Sequence, residues 1–244
     1  MAQYNVPQNE PRQAESRLTE PRLVEPRLTE SHLNEPRHLD TAAAMSNVAS
    51  PAPLGLSMIA FITAIIGCFY TGFIIPFDMA GMRAGVGVAA LISGIILVLA
   101  GMWEFRKGYL LTSTTFTAYG GFLGLLGLMF LPNLNFMGAL GGNVHLFMGL
   151  LFLCWTIFLA VLFIGSLRAG VSMAPVLGLL LIAYFFLMLG SLAGDNTTLL
   201  KIGGWFAIAS AIVAWLAALA SILGASRHRE IAHIPFGNRL AVVE

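Results

Sequence analysis

The sequence predicts an all-α membrane protein: a bundle of six transmembrane helices with the N- and C-termini cytoplasmic. Three observations predict it. Hydrophobic types make up 57% of the 244 residues and charged types 10%, against roughly a quarter charged in a typical soluble domain, so a soluble fold would have no charged skin. Apolar stretches of helical length follow one another beyond residue 50. Lysine and arginine gather at alternate ends of those stretches, the asymmetry that orients membrane helices.

The first element is polar. Residues 1–49 hold seven acidic residues and five arginines, whereas the other 195 hold five acids and eight bases. Within it a five-residue unit runs in phase as AESRL, TEPRL, VEPRL, TESHL and NEPRH, placing Glu15, Glu20, Glu25, Glu30 and Glu35 at one position. Proline in most units removes helical hydrogen bonds, and a period of five matches neither helix nor strand. We read a disordered, solvated arm. Its mixed charge argues against docking on anionic lipid. The first apolar run starts near Leu54, too late for a secretory signal, so the first helix is expected to direct insertion.

Six spans follow, at 54–75, 84–103, 112–131, 144–167, 173–193 and 202–223. A hydrocarbon core of ~30 Å needs about 20 helical residues, and each span supplies them. Short connections make neighbours antiparallel. On one side lie Arg106, Lys107, Arg168, Arg227, Arg229 and Arg239; on the other, Arg83 and Lys201. That imbalance puts both termini in the cytoplasm. The expected organisation is the arm at 1–49, a pore domain at 50–225 and a C-terminal tail at 226–244.

Helices in lipid associate through small residues. Span six carries Gly204, Ala207, Ala211, Ala214, Ala218 and Ser221 along one face; span three carries Gly121, Gly124 and Gly127, and span two opens on Gly81 and Gly85. All are expected at interfaces, within a protomer or between protomers. Trp103, Trp205, Tyr70 and Tyr109 stand near span ends, and most read as headgroup anchors. Cys68 and Cys154 lie in apolar runs without CxxC spacing and read as small buried side chains.

Chemistry is sparse. No charged residue falls in the middle of a span, and there is no HExxH, GxSxG or paired carboxylate within one. An enzyme, a metal site and a cofactor are therefore not expected, and a net charge of +1 points to no nucleic-acid partner. His145 reads as an interfacial hydrogen-bonding residue. Thr112, Ser113, Thr114, Thr115, Thr117 and Tyr119 crowd span three, with Thr63 and Thr71 in span one and Tyr184 in span five. Single hydroxyls bond back to a carbonyl one turn earlier; six in eight residues cover more than one face, which equally fits a half-polar passage. At the entry to span one, Ser50 reads as N-cap with Pro51 at the first helical position. Such an end can attract a carboxylate, and an ordinary capped helix start explains the same residues.

Residues 50–56, SPAPLGL, resemble the NPAPLGL signature of the acetate uptake transporter family, the succinate–acetate permeases. AGMWEFRKG at 100–108 resembles that family's AG-x-x-E-[YF]-[RK]-K-G loop, and TFTAYG at 115–120 its F-[TS]-[SA]-Y-G stretch. Gly165, Ser166, Leu167 and Arg168 fit its GTL-[KR] turn, and Gly203, Gly204 and Trp205 its AGW-like start of the last helix. The resemblance covers residues 48–240. It implies six helices, a homo-hexamer in the plasma membrane, and a pore through each protomer for acetate and related short carboxylates, by a channel or proton-linked route. By position it implies a constriction of Ile59, Tyr119 and Leu180, with Ser50, Pro51, Leu54, Thr63 and Thr115 along the path. Departures are Ser50 for Asn, Ile59 for a frequent Phe, Leu97 for a frequent Gln, and YLLT at 109–112 for a GNTFG-like run. The alternatives are a pathway for ammonia or another small solute, and a non-transporting scaffold or sensor whose arm binds a partner.

Overall fold

Backbone N–H and C=O groups in lipid find no water, so an apolar run that crosses must satisfy them within itself, as a helix. The structure, a computed structural model, describes residues 49–74, 80–169 and 173–233. It contains six long helices: α1 (Ala52–Thr71), α2 (Ala80–Arg106), α3 (Leu110–Phe130), α5 (Val144–Ala169), α6 (Met173–Leu192) and α7 (Thr197–His233). A short α4 (Phe136–Leu140) lies between α3 and α5, flanked by 3-10 turns at Pro132–Leu134 and Gly141–Asn143. Five of the long helices are long and apolar enough to cross a bilayer on composition alone. The exception, α3, has 21 residues, ~30 Å of helix, and is diluted by its hydroxyls and glycines. The expected arm at 1–49 lies outside the described residues up to position 48, as does Asp78 in the link after α1. The expected tail at 226–244 begins inside a helix, because α7 continues to His233.

Packing follows a closed order. The α2–α3, α1–α7, α6–α7 and α5–α6 pairs make the broad interfaces, α1 also meets α2, and α3 meets α5 over a short stretch. Taken in turn, α1, α2, α3, α5, α6 and α7 return to α1, a ring of antiparallel neighbours. The outside is apolar: Leu99, Ile157, Val161 and Leu216 are each more than half exposed. A surface of that kind matches hydrocarbon rather than water. The inside is filled by large side chains, with Ile59, Phe116, Tyr119, Leu123, Phe152 and Leu180 at 2% exposure or less.

The small-residue stripe of span six packs as expected. Ala207, Ala211, Ala214 and Ala218 are buried, and Gly204 closes on Gly67 of α1, where an added Cβ would come 2.9 Å from the Gly67 carbonyl. At the α2–α3 interface Gly127 packs as expected, against Gly87 and Leu91. A Cβ at Gly81, Gly85, Gly121 or Gly124 would meet nothing within 4 Å. The contact runs instead through Gly87, Gly94 and Gly101 of α2, spaced by seven, against Gly127, Gly120 and Thr117 of α3. Two helical turns span about seven residues, so that spacing keeps one face. Trp103 and Tyr109 are exposed near helix ends, as anchors should be, and Arg106 lies 5.4 Å from the Trp103 ring, whereas Trp205 is exposed about two turns inside α7. Tyr70 is buried instead, and Cys154 is exposed while Cys68 is partly buried.

Candidate functional site

Ile59 and Thr63 stand one turn apart on α1, and Leu180 and Tyr184 one turn apart on α6, so each pair shares a face. Both faces turn to the centre: the four residues are 1%, 1%, 1% and 2% exposed. Tyr119 of α3 meets them. Its hydroxyl lies 3.1 Å from the Thr63 Oγ1 and 3.3 Å from the Tyr184 hydroxyl. The result is two layers, an apolar one holding Ile59 and Leu180 and a hydroxyl one holding Thr63, Tyr119 and Tyr184. Among the described residues, no other side chain hydrogen-bonds these three hydroxyls.

An aromatic wall backs the hydroxyl layer. Tyr119 stacks on Trp155 of α5 with centroids 5.6 Å apart, and Trp155 stacks on Phe122 at 4.3 Å. Tyr184 meets Phe122 edge-on at 5.4 Å and leans on Phe152 at 5.7 Å. The Trp155 Nε1 is buried without a hydrogen-bond partner among the described residues. Sequence reasoning missed Trp155, Phe122 and Phe152; the available signal was a tryptophan in mid-span, away from the headgroup zone where the other end-placed rings sit.

Most hydroxyls of span three do not reach this layer. Ser113 donates to the Leu110 carbonyl at 2.9 Å and Thr115 to the Leu111 carbonyl at 2.7 Å, the back-bonding that removes a hydroxyl's proton from other use. Thr117 Oγ1 is buried without a partner among the described residues, pressed toward Gly101 of α2. Of the crowded set, Tyr119 alone is bonded across the ring.

The entry of α1 is arranged differently from the expected cap. The helix begins at Ala52, with Pro51 in the capping position and no side-chain cap across the first turn. The Ala52 N–H reaches the Ser50 Oγ at 3.3 Å, while the Ser50 hydroxyl donates to the Glu104 carboxyl at 3.0 Å. Glu104 is 1% exposed, so a buried carboxyl of the protein itself stands beside this positive helix end. Leu54 is half exposed on the outer face, away from Ile59 and Thr63. Glu104 is held there by the turn that follows α2: its carbonyl accepts the Lys107 and Tyr109 N–H groups, and Gly108 adopts φ +79, the left-handed conformation that glycine takes without steric cost.

The model of the GPR1/FUN34/yaaH family matches residues 35–235. The chain belongs to the GPR1/FUN34/yaaH family. Its similarity to relatives extends through the whole ring. Acetate permease A of Emericella nidulans is 30% identical over 203 residues, covering 77% of this chain and 67% of that protein. The succinate-acetate/proton symporter SatP of Escherichia coli is 27% identical over 193 residues, covering 79% of this chain and 97% of that one. The solved structure of the bacterial acetate channel SatP superposes with a TM-score of 0.64 at 26% identity, over 74% of this chain and 95% of that chain. The resemblance drawn from SPAPLGL, AGMWEFRKG and TFTAYG is thereby established. The architecture is a multi-pass helical bundle; the relatives are named as a permease, a symporter and a channel.

Proposed function

We propose that this protein carries acetate and related short carboxylates across the plasma membrane along the axis of its helical ring, one path per protomer. The observation that carries the reading is the meeting of three hydroxyls, from Thr63, Tyr119 and Tyr184, inside an apolar centre with no ionised neighbour on α1, α3 or α6. A small carboxylic acid needs that combination: a few neutral hydrogen-bond partners to replace its water and apolar walls for its alkyl end. Ile59, Tyr119 and Leu180 would form the neck, which a hydrated ion crosses poorly. Ser50 and Pro51 would stand at the mouth formed by the start of α1. Thr115, its proton committed to Leu111, would offer only an acceptor.

The names of the relatives support acetate as the solute. The lysine and arginine distribution supports cytoplasmic termini, and so places the start of α1 inside the cell. The family resemblance supports a homo-hexamer, and the glycine-floored groove between α2 and α3, lined by Gly121 and Gly124, offers a surface for close contact between copies; native mass spectrometry should report six chains. The deciding experiment is flux of [14C]acetate into proteoliposomes of the purified full chain. Uptake no faster than in protein-free vesicles would reject the reading, and ammonium flux without acetate flux would replace it.

A further inference from the structure

A second polar cluster lies at the opposite end of the ring from Ser50 and Glu104. A cavity of about 80 Å3 opens where the end of α1 meets the starts of α2, α5 and α7. Its rim carries Arg83 from α2, His145 from α5 and Asp195 from the turn before α7; its floor includes Tyr70, Phe130 and Met148. Arg83 and Asp195 are exposed and His145 is half-buried, whereas the floor residues are 7%, 6% and 6% exposed. Among the described residues, Arg83 and Asp195 form no ion pair. From the floor, ring contacts lead inward: Tyr70 to Phe152 at 6.4 Å, then Phe152 to Tyr184 at 5.7 Å. Two ring contacts thus link the cavity floor to the hydroxyl layer.

We propose that this cavity is a capture site for the carboxylate form of the transported acid, built by Arg83 and His145 and weakened by Asp195. A guanidinium presents paired N–H groups in the geometry of a carboxylate, and the imidazole adds one further N–H. Phe130 and Met148 give the methyl or short alkyl end an apolar seat. The cavity has room for several water-sized groups, at roughly 10–15 Å3 each, which suits a two- to four-carbon acid and not a larger one. Asp195 is a like charge to the ligand and lowers its occupancy, so that the site fills and empties instead of trapping its cargo. Tyr70 is the only other titratable group lining the cavity among the described residues.

The inference rests on the transport reading above, and its test is separable from it. Acetate uptake is measured against acetate concentration in phosphatidylcholine vesicles, which hold no competing anionic lipid, for wild type, Arg83→Gln and Asp195→Asn. Binding is measured independently by saturation-transfer NMR of acetate with the detergent-purified full chain. Arg83→Gln should raise the half-saturating concentration about tenfold with maximal flux retained, and should abolish the NMR transfer. Asp195→Asn should lower half-saturation severalfold and strengthen the transfer. Opposite responses from two exposed residues are not produced by loss of structure. Half-saturation and transfer within twofold of wild type in both variants, or loss of maximal flux without a change in half-saturation, would overturn the capture site. A wild type that binds but carries no acetate would instead defeat the transport reading and leave the site standing.

Discussion

Removal of one oxygen atom, by Tyr119→Phe, tests the hydroxyl layer directly. The ring stays, with its stacking on Trp155 and Phe122, and its volume hardly changes. What is lost is the oxygen bonded to Thr63 at 3.1 Å and to Tyr184 at 3.3 Å. A buried neutral hydrogen bond contributes about 1 kcal/mol net, and leaving a buried partner unpaired costs about 1–3 kcal/mol. Thr63 can turn its proton back to a helix carbonyl, and the longer Tyr184 bond is the weaker of the two, so the stability loss should be about 1–2 kcal/mol. Transport should suffer by a similar amount. One of three groups that replace solute water disappears, and ~1.4 kcal/mol in the barrier is tenfold in rate. Initial [14C]acetate flux into proteoliposomes, normalised to folded protein, should therefore fall about tenfold. Tyr184→Phe should fall less, because the Thr63–Tyr119 bond survives it. The double variant should fall by less than the product of the two, with a coupling of about 0.5–1 kcal/mol for residues sharing a bond. A Tyr119→Phe rate within twofold of wild type, or above it, would refute the role given to these hydroxyls.

Leu180→Ala should open the neck to longer acids, read as a rise in the butyrate-to-acetate flux ratio, and an unchanged ratio would remove Leu180 from the constriction; the lost side chain should also cost about 2–5 kcal/mol of stability. Gly120→Val should sharply lower the melting temperature in detergent, since a Cβ there would come 2.6 Å from the Gly94 carbonyl, whereas Gly121→Ala, which meets nothing within 4 Å, should leave monomer stability unchanged. Ser50→Ala withdraws the hydroxyl donor from the buried Glu104 and should cost about 1–2 kcal/mol; in the Glu104→Gln background the same change should cost measurably less, and equal costs would show that the contact carries no energy.

The spans were legible because length and apolarity are local properties, and a helix is their one solution in lipid. The α7 stripe was legible for a related reason: alternating three and four residues keeps one face, whatever lies opposite. Gly127 apart, the α2–α3 glycines were not, because close spacings drew attention to Gly81, Gly85, Gly121 and Gly124, which face outward, while the buried contacts recur at seven. Tyr119 and Leu180 could be placed from motif position, but the partnership of Tyr119 with Tyr184 joins residues 65 apart on helices that nothing local brings together. Likewise Arg83, His145 and Asp195 read singly as loop and end residues, and only closure of the ring gathers them. The hydroxyls of span three misled in the other direction. Composition cannot tell a threonine whose proton is spent on its own helix from one with a proton free, and Thr115 is of the first kind.

The two polar sites, taken together, divide the work of moving a weak acid. An ionised carboxylate moved from water into a dry interior loses several kcal/mol even after relaxation. Three neutral hydroxyls at about 1 kcal/mol each offset only part of that. No residue of α1, α3 or α6 carries a charge that could supply the rest. The species that crosses the neck cheaply is therefore the neutral acid, and the proton travels on the solute instead of on a side chain. The Arg83 rim, open to water, can hold the anion where ionisation costs little, so the carboxylate takes its proton from water at the rim before it enters the neck. At fixed total acetate, well above half-saturation of the rim, flux should then rise as external pH is lowered. A flux that instead follows the anion concentration and responds to membrane potential would require a charge-compensating group in the neck, and Thr63, Tyr119 and Tyr184 provide none.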